Sequence, residues 1–478
     1  MIINSLFRDK KIAVLGLGVS GMASVDALRA SGAQVFAWDD ADERRRECLG
    51  LGVEPVDLAG LDWTAEKFDY LLLSPGIAHT HPRPHPVAQL AKKVECPIVC
   101  DVELLTLAQG KSRFIGITGT NGKSTTTALI GHIFEKVGRQ VQVGGNLGIP
   151  ALALSPLEEG GVYVLELSSY QLELLHESVF DIAILLNISP DHLDRHGGMA
   201  GYVAAKERIF ETREESALSA VVGADDATSR EILSRLHARG QRRVVAIMAG
   251  ASAYMREATK NTGEVFAGVY MDDYILMDAL DGVPGTPVLD IRECANLRGR
   301  HNAQNACAAY AAVRLSGVAL DDAQAAIRSF PGLAHRQECV GSRHGVTFIN
   351  DSKATNGDAC ARALDSYKNI YWIAGGQAKD DGLDGVLAHL KEVRRAFLIG
   401  DAADSFGEIL KGVVPISQSK ILRAAVNDAF AAAREDGVGD AVVLLSPACA
   451  SFDQFKNFME RGDAFREIAQ GICHRATP

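Results

Sequence analysis

No stretch of the 478-residue chain reaches the roughly 20 consecutive apolar residues that a membrane span requires. Met1 to Arg8 holds no apolar signal core, so the chain is read as cytoplasmic, with no membrane partner. Basic residues are not in excess: 49 Lys and Arg face 60 Asp and Glu, a formal net charge of −11. Nucleic acid or an anionic membrane surface would need a basic face, so neither is expected as a partner. Nine cysteines stand singly, an odd number that fits reduced thiols rather than a disulfide framework. Cys96 and Cys100 lie closest, but no second pair and no nearby histidine complete a zinc set. Internal repeats and low-complexity runs are absent.

What is present fits a soluble α/β chain of several domains. Hydrophobic residues make up 47% and charged residues 23%, ordinary globular values. The length predicts two to four domains. Motif content separates three segments, 1–105, 106–331 and 332–478. In the first, Lys11–Gly16 reads as a strand, a helix follows through about Ala30, and Gln34–Trp38 and Tyr70–Leu73 are further strands. That rhythm predicts a doubly wound parallel sheet. His79–Pro86, rich in His and Pro, is expected to be irregular. The second segment places strands at Phe114–Ile117, Val162–Leu167 and Ile182–Asn187, and helices through about Val137 and over Asn302–Arg314. Residues 216–292 carry no recognisable chemistry. The third repeats the alternation, with strands at Thr347–Asn350, Asn369–Ala374, Ala396–Ile399 and Ala441–Leu445. In such sheets ligands sit beyond the carboxyl ends of strands, so the polar runs there are the candidate sites.

The sharpest local signal is Gly119-Thr120-Asn121-Gly122-Lys123-Ser124, between a strand and a helix. Glycines let successive backbone N–H groups turn toward one anion, and the helix start adds positive potential. Lys123 would reach the outer phosphates of a nucleotide and the Ser124 hydroxyl would bind Mg²⁺. The strict phosphate-loop pattern fails at one position, because Ile117 stands where a glycine is required. Near the N-terminus, Gly16-Leu17-Gly18-Val19-Ser20-Gly21 followed by Asp39 meets the dinucleotide fingerprint. Alone it would indicate an NAD-dependent dehydrogenase, but no hydride-transfer constellation follows.

The G-T-N-G-K-S loop resembles that of the Mur ligases and the related folylpolyglutamate synthases. Leu165–Leu172, Asn187–His196 and Ala204-Ala205-Lys206 look like the central domain of Mur ligases. Gly299–Asn305 is similar to their adenine-side helix start, and Asn350–Asn356 to their C-terminal signature. The resemblance implies three α/β domains: an N-terminal Rossmann-like domain for a UDP-linked substrate, a central P-loop-type ATPase and a C-terminal Rossmann-like domain for an amino acid. It implies a two-step ATP-dependent ligation, in which a carboxylate is phosphorylated to an acyl phosphate and then attacked by an amine. It implies ATP and two Mg²⁺ sites, with Ser124, Glu166, His192 and Lys206 as ligands. Lys206 would be carbamylated by CO₂, since an ammonium beside two divalent cations would be repelled. Lys123, His192 and Lys206 become the catalytic candidates. Gly119 to Ser124 with Thr125, Asn302, Arg336 and Asp351 become the ATP candidates.

The same resemblance assigns the first glycine motif to a UDP pyrophosphate. Gly18, Val19, Ser20, Asp39, Asp40, Ser74, Pro75 and Gly76 would meet the nucleotide sugar, with Asn146, Ser168, Gln171 and His192 nearer the reacting carboxyl. Within the family, Ser446–Phe458 and Gly375-Gly376 with Lys379 are similar to the branch that adds D-glutamate to UDP-N-acetylmuramoyl-L-alanine. Lys353, Thr355, Lys379, Ser451, Phe452 and Phe458 are then the amino-acid candidates. Lys379 would suit the side-chain carboxylate, although the following Asp380-Asp381 departs from the family pattern. The D-N-P-R stretch of the diaminopimelate-adding branch is absent. A turn at Pro331-Gly332 reads as a hinge, predicting open and closed forms. A monomer is expected. The alternatives are another amino-acid-adding Mur ligase, a folylpolyglutamate synthase, which would lack the first domain, and an ATP-switched binding protein, which would not need Glu166, His192, Lys206 and Lys353 together. The base for the incoming amine is not named by the sequence.

Overall fold

The computed structural model describes residues 1–146, 148–211, 218–240, 243–250, 267–282, 285–294, 296–297, 300–378, 382–383 and 385–474, with the side chains of 300, 301 and 358 left aside. The chain divides into two compact units, Met1–Phe330 and Pro331–Pro478.

The first unit holds two sheets. One is four-stranded and parallel, in the order Gln34–Trp38, Lys11–Leu15, Tyr70–Leu73, Ile98–Val99. Leu71, Leu72 and Leu73 are at most 1% exposed, as a strand covered on both faces must be. Burying each such side chain stabilises the fold by about 1.5–3 kcal/mol. The chain leaves Lys11–Leu15 toward one neighbour and returns on its other side at Tyr70–Leu73. The glycine loop at 16–21 and Ser74 therefore meet at a topological switch point.

The other sheet centres on Arg113–Thr118, paired in parallel with Val162–Glu166 and Ile182–Leu185. Val141–Gly145 closes one edge. On the other side Ser219–Gly223, Arg243–Met248 and Ala267–Asp272 continue parallel, then Ile275–Ala279 and Thr286–Asp290 turn back antiparallel. The stretch without recognisable chemistry is thus sheet framework. Helices Lys123–Lys136 and Arg300–Leu315 pack on this sheet, and Ala306 to Val313 are fully buried.

The second unit has a six-stranded sheet in the order Glu338–Arg343, Val346–Asn350, Ala441–Leu445, Ile370–Gly375, Val393–Ile399, Ile416–Lys420. Only the first of these pairs antiparallel. Asn350, Gly375 and Leu445 end adjacent strands, so the loops that follow them converge.

One sequence expectation needs correction. Pro86 is not in an irregular stretch but opens the helix Pro86–Lys93, capped by His85, whose Nδ1 accepts from Val87 N. Proline's missing N–H costs nothing at a first helical position. Among the described residues, no helix is long and apolar enough to cross a membrane.

Candidate active site

In the central sheet the strand Arg113–Thr118 delivers the chain into the loop 119–122. Gly119 and Gly122 have φ of +149° and +87°, conformations that favour glycine. A Cβ on Gly122 would also overlap the Asn305 side chain. The loop is tied to its neighbours. Thr120 N donates to Asn187 O at 2.9 Å and Asn121 N to Asn187 Oδ1 at 2.9 Å. Asn187 Nδ2 donates to Asn121 O and to Gln304 Oε1, and Gln304 Nε2 to Asp225 Oδ2. Thr126 Oγ1 donates to Asn305 Oδ1, and Asn305 Nδ2 to Asn302 Oδ1 at 3.1 Å. Asn187, Gln304 and Asn305 thus support the cradle. No local sequence pattern marks these three side chains, because their partners lie on other elements.

Two lysines meet at this loop. Lys123 Nζ donates to Gly119 O at 2.9 Å and Thr120 O at 3.0 Å. Lys206, from the helix Met199–Glu207, is 1% exposed and donates to Gly119 O at 2.9 Å and Thr118 Oγ1 at 3.3 Å. Burial, and then the neighbouring charge of Lys123, push the Lys206 ammonium down to about 7.

Glu166, 3% exposed, ends the strand Val162–Glu166. Its Oε1 accepts from Asn146 Nδ2 at 3.0 Å and its backbone oxygen from Asn146 N, while Oε2 is buried with no hydrogen-bond partner. An unmatched buried carboxylate oxygen is costly unless a cation meets it. Among the described residues no group of three or more His, Cys, Asp or Glu could hold a metal alone. Mg²⁺, however, keeps waters and phosphate oxygens and needs few protein ligands. Ser124 and Glu166 fit that donor set. His192 has φ of +50° and caps the short helix Leu193–His196. Its Nε2 lies 3.5 Å from Asp191 Oδ2 and its ring 5.1 Å from that of Tyr170.

At the N-terminal switch point, Ser74 Oγ donates to Gly16 O at 2.8 Å, while Asp39 accepts from Leu17 N at 2.6 Å and Ala41 N at 2.8 Å. Asp40 meets His85 Nε2 and Trp38 Nε1 at 3.3 Å each. Val19, 74% exposed, and Gly18 and Gly76, with open space at their Cβ positions, leave the loop mouth uncovered within the unit. Ser168 and Gln171 form a capping box at the helix Ser169–Leu172, and Gln171 also donates to the buried Asp101. The Gln171 side chain is therefore committed to holding that helix start.

In the second unit, Asp351 is buried, accepting from Ser446 Oγ at 2.8 Å and Gln337 N at 3.1 Å. Burial pushes its carboxyl up to about 7 against the opposing pull of these bonds and of the charges on Arg336 and Lys353. Lys353 N donates to His335 O, and Thr355 N to Lys353 O. Ser451 is 2% exposed, whereas Phe452 is 68% exposed. Phe458 packs edge-on to His335. Lys379 lies outside the described residues.

The chain matches the Mur ligase middle domain over residues 117–313 and the Mur ligase, glutamate ligase domain over 335–449. It is 47% identical over 472 residues to the UDP-N-acetylmuramoylalanine–D-glutamate ligase of Paramagnetospirillum magneticum, covering 99% of each chain. The chain belongs to the Mur ligase family. The ligase of the same name from Rhodospirillum rubrum is 48% identical over 473 residues, covering 98% of this Mur ligase and 96% of that chain. Among solved structures, the UDP-N-acetylmuramate-alanine ligase of Thermotoga maritima superposes with a TM-score of 0.55 at 16% identity, covering 97% of this chain and 99% of that one, a likeness of fold.

Proposed function

We propose that this Mur ligase joins D-glutamate to UDP-N-acetylmuramoyl-L-alanine with ATP, through an acyl phosphate, giving ADP and phosphate for peptidoglycan precursor synthesis. It would act as a cytoplasmic monomer. The observation that carries the reading is the anion cradle at 119–124, where two lysines share one carbonyl beside a buried Glu166 oxygen without a partner. Full-length relatives of that printed name, 47% and 48% identical, support D-glutamate as the amino acid.

In this reading the muramoyl-alanine carboxylate attacks the γ-phosphorus of ATP, and the bond to the ADP oxygen breaks. The deprotonated amine of D-glutamate then attacks the acyl carbon, and phosphate leaves. Phosphoryl transfer of this kind depends on positioning and charge neutralisation. The loop N–H groups and Lys123 would hold the phosphates, with Thr125, Asn302, Arg336 and Asp351 completing the nucleotide contacts. Ser124 and Glu166 would hold one Mg²⁺, and His192 with a carbamylated Lys206 a second. Bound Mg²⁺ supplies neutralisation of the phosphate charge. A Lys206 amine with a value near 7 is substantially neutral at physiological pH, so its lone pair can add to CO₂ and release a proton. The product is an anion where an ammonium would oppose Lys123. Residues 1–105 would hold the UDP moiety through the 16–21 loop and Ser74-Pro75-Gly76, and Asn146 would meet the reacting end. Residues 332–478 would hold D-glutamate through Lys353, Thr355, Lys379, Ser451, Phe452 and Phe458.

The test is phosphate release from ATP with UDP-N-acetylmuramoyl-L-alanine and a panel of amino acids. Release should need both acceptors and be fastest with D-glutamate. Equal rates with L-glutamate, or release indifferent to the UDP substrate, would sink the reading.

A further inference from the structure

One side chain in the second unit reaches both loops proposed above to receive the amino acid. Arg461, in the first turn of the helix Phe458–His474, is 1% exposed. Its Nε donates to Ser352 Oγ at 3.0 Å, and its Nη2 to Ser352 O at 2.9 Å and Cys449 O at 3.1 Å. Its Nη1 donates to Ala450 O at 3.2 Å. Ser352 Oγ relays the contact by donating to Phe458 O at 2.7 Å. A Cβ on Gly376, at φ +133°, would come within 3.1 Å of Nη1, so the guanidinium also underlies the 375–376 turn.

Arg461 therefore grips the residue before Lys353, the two residues before Ser451 and, through one hydroxyl, Phe458. All of its hydrogen-bond acceptors are neutral oxygens, and among the described residues it forms no ion pair. Asp453 is the carboxylate whose field favours its charge. A buried guanidinium without a carboxylate is an expensive way to satisfy carbonyl groups, and natural cores generally avoid it. It becomes reasonable where an anion is to be received close by. Burial lowers its value only to about 10, so the charge persists at neutral pH.

We infer that Arg461 is a positioning residue for the acceptor amino acid: it sets the backbone of the Ser352–Lys353 and Cys449–Ser451 loops and places a fixed positive charge beneath a dicarboxylate. This rests on the amino-acid site proposed above.

The test compares the full-length wild type with Arg461→Met, Arg461→Lys and Ser352→Ala, measuring kcat and the KM of each substrate by phosphate release, with thermal melts alongside. Arg461→Met should raise the KM for D-glutamate by about ten-fold or more, while those for ATP and UDP-N-acetylmuramoyl-L-alanine stay within about two-fold. Arg461→Lys should recover part of the loss. Ser352→Ala, which removes only the hydroxyl relay, should shift the same constant by less. An unchanged D-glutamate KM in a folded variant, or a uniform change in all three constants, overturns the inference. Should the Arg461 variants not fold, Ser352→Ala decides alone. A wild type that releases no phosphate with D-glutamate would instead refute the functional reading, and this inference with it.

Discussion

Lys123 Nζ and Lys206 Nζ donate to one acceptor, the carbonyl oxygen of Gly119, each at 2.9 Å. Two ammonium groups on a single oxygen repel, and the repulsion is strongest where water is excluded. Lys206 is the buried partner and the one whose proton is loosened.

Lys206→Ala should therefore lower turnover by about 100-fold, with part of the rate returned by formate or acetate standing in for a carbamate. Lys206→Arg, which cannot give up its charge, should not respond to either acid. Wild-type activity should fall as pH drops through about 7, because the protonated amine cannot take up CO₂, and added bicarbonate should oppose the fall. Steady-state phosphate release between about pH 6 and about pH 9 reads all three.

Glu166→Gln keeps the oxygen that accepts from Asn146 and removes the negative charge at the unpartnered position. The variant should melt within about 1 kcal/mol of wild type or slightly higher, since a buried uncompensated charge is gone. Its turnover should fall at least about ten-fold, with a higher Mg²⁺ requirement. Metal titrations of the rate would reveal it; an unaltered Mg²⁺ dependence would remove Glu166 from the proposed ion site.

Gly18 and Gly21 belong to one motif but face different demands. A Cβ at Gly18 meets nothing within 4 Å, whereas one at Gly21 would overlap the Gly16 carbonyl oxygen. Gly18→Ala should leave stability within about 0.5 kcal/mol of wild type. Gly21→Ala should cost about 1–3 kcal/mol as the helix Val19–Ala30 is pushed off its strand. Denaturant melts separate the two.

Asp351 allows a pH test with a defined sign. Its folded value, about 7, lies above the ordinary carboxylate value of 3.8. A raised carboxyl costs stability once the unfolded chain ionises. That cost is absent below the ordinary range, grows between the two values and is complete above about 7. Asp351→Asn retains an acceptor for Gln337 N and offers a donor to Ser446. It should melt a few degrees above wild type at about pH 8 and nearly level with it at about pH 4. Thermal melts at the two pH values decide.

Much of this was legible in the chain. Gln34–Trp38, Tyr70–Leu73 and Ala441–Leu445 are read to the residue, since each is a short apolar run bounded by turn formers. The cradle is legible because phosphate chemistry demands glycine, lysine and a hydroxyl at fixed spacing. Ala267–Asp272 and Ile275–Ala279 are not, because Met, Asp and Ala in them carry little strand preference, and pairing with Arg243–Met248 and with each other makes them strands. Arg461 is equally silent: a lone arginine on a helix looks solvated until the fold brings the 352 and 449–450 carbonyls around it. Buried polar roles depend on partners distant in sequence, and no local pattern announces them.

The overlap that any Cβ at position 122 would make with Asn305 has an evolutionary and mechanical corollary. The start of the helix Arg300–Leu315 is keyed into the 119–122 loop, so that helix cannot slide along its axis without dragging the loop. Asn302 accepts from Asn305, so the helix start and the 119–122 loop are linked through side chains alone. Position 305 is thereby barred from drifting to a bulkier residue for as long as 122 keeps its backbone twist.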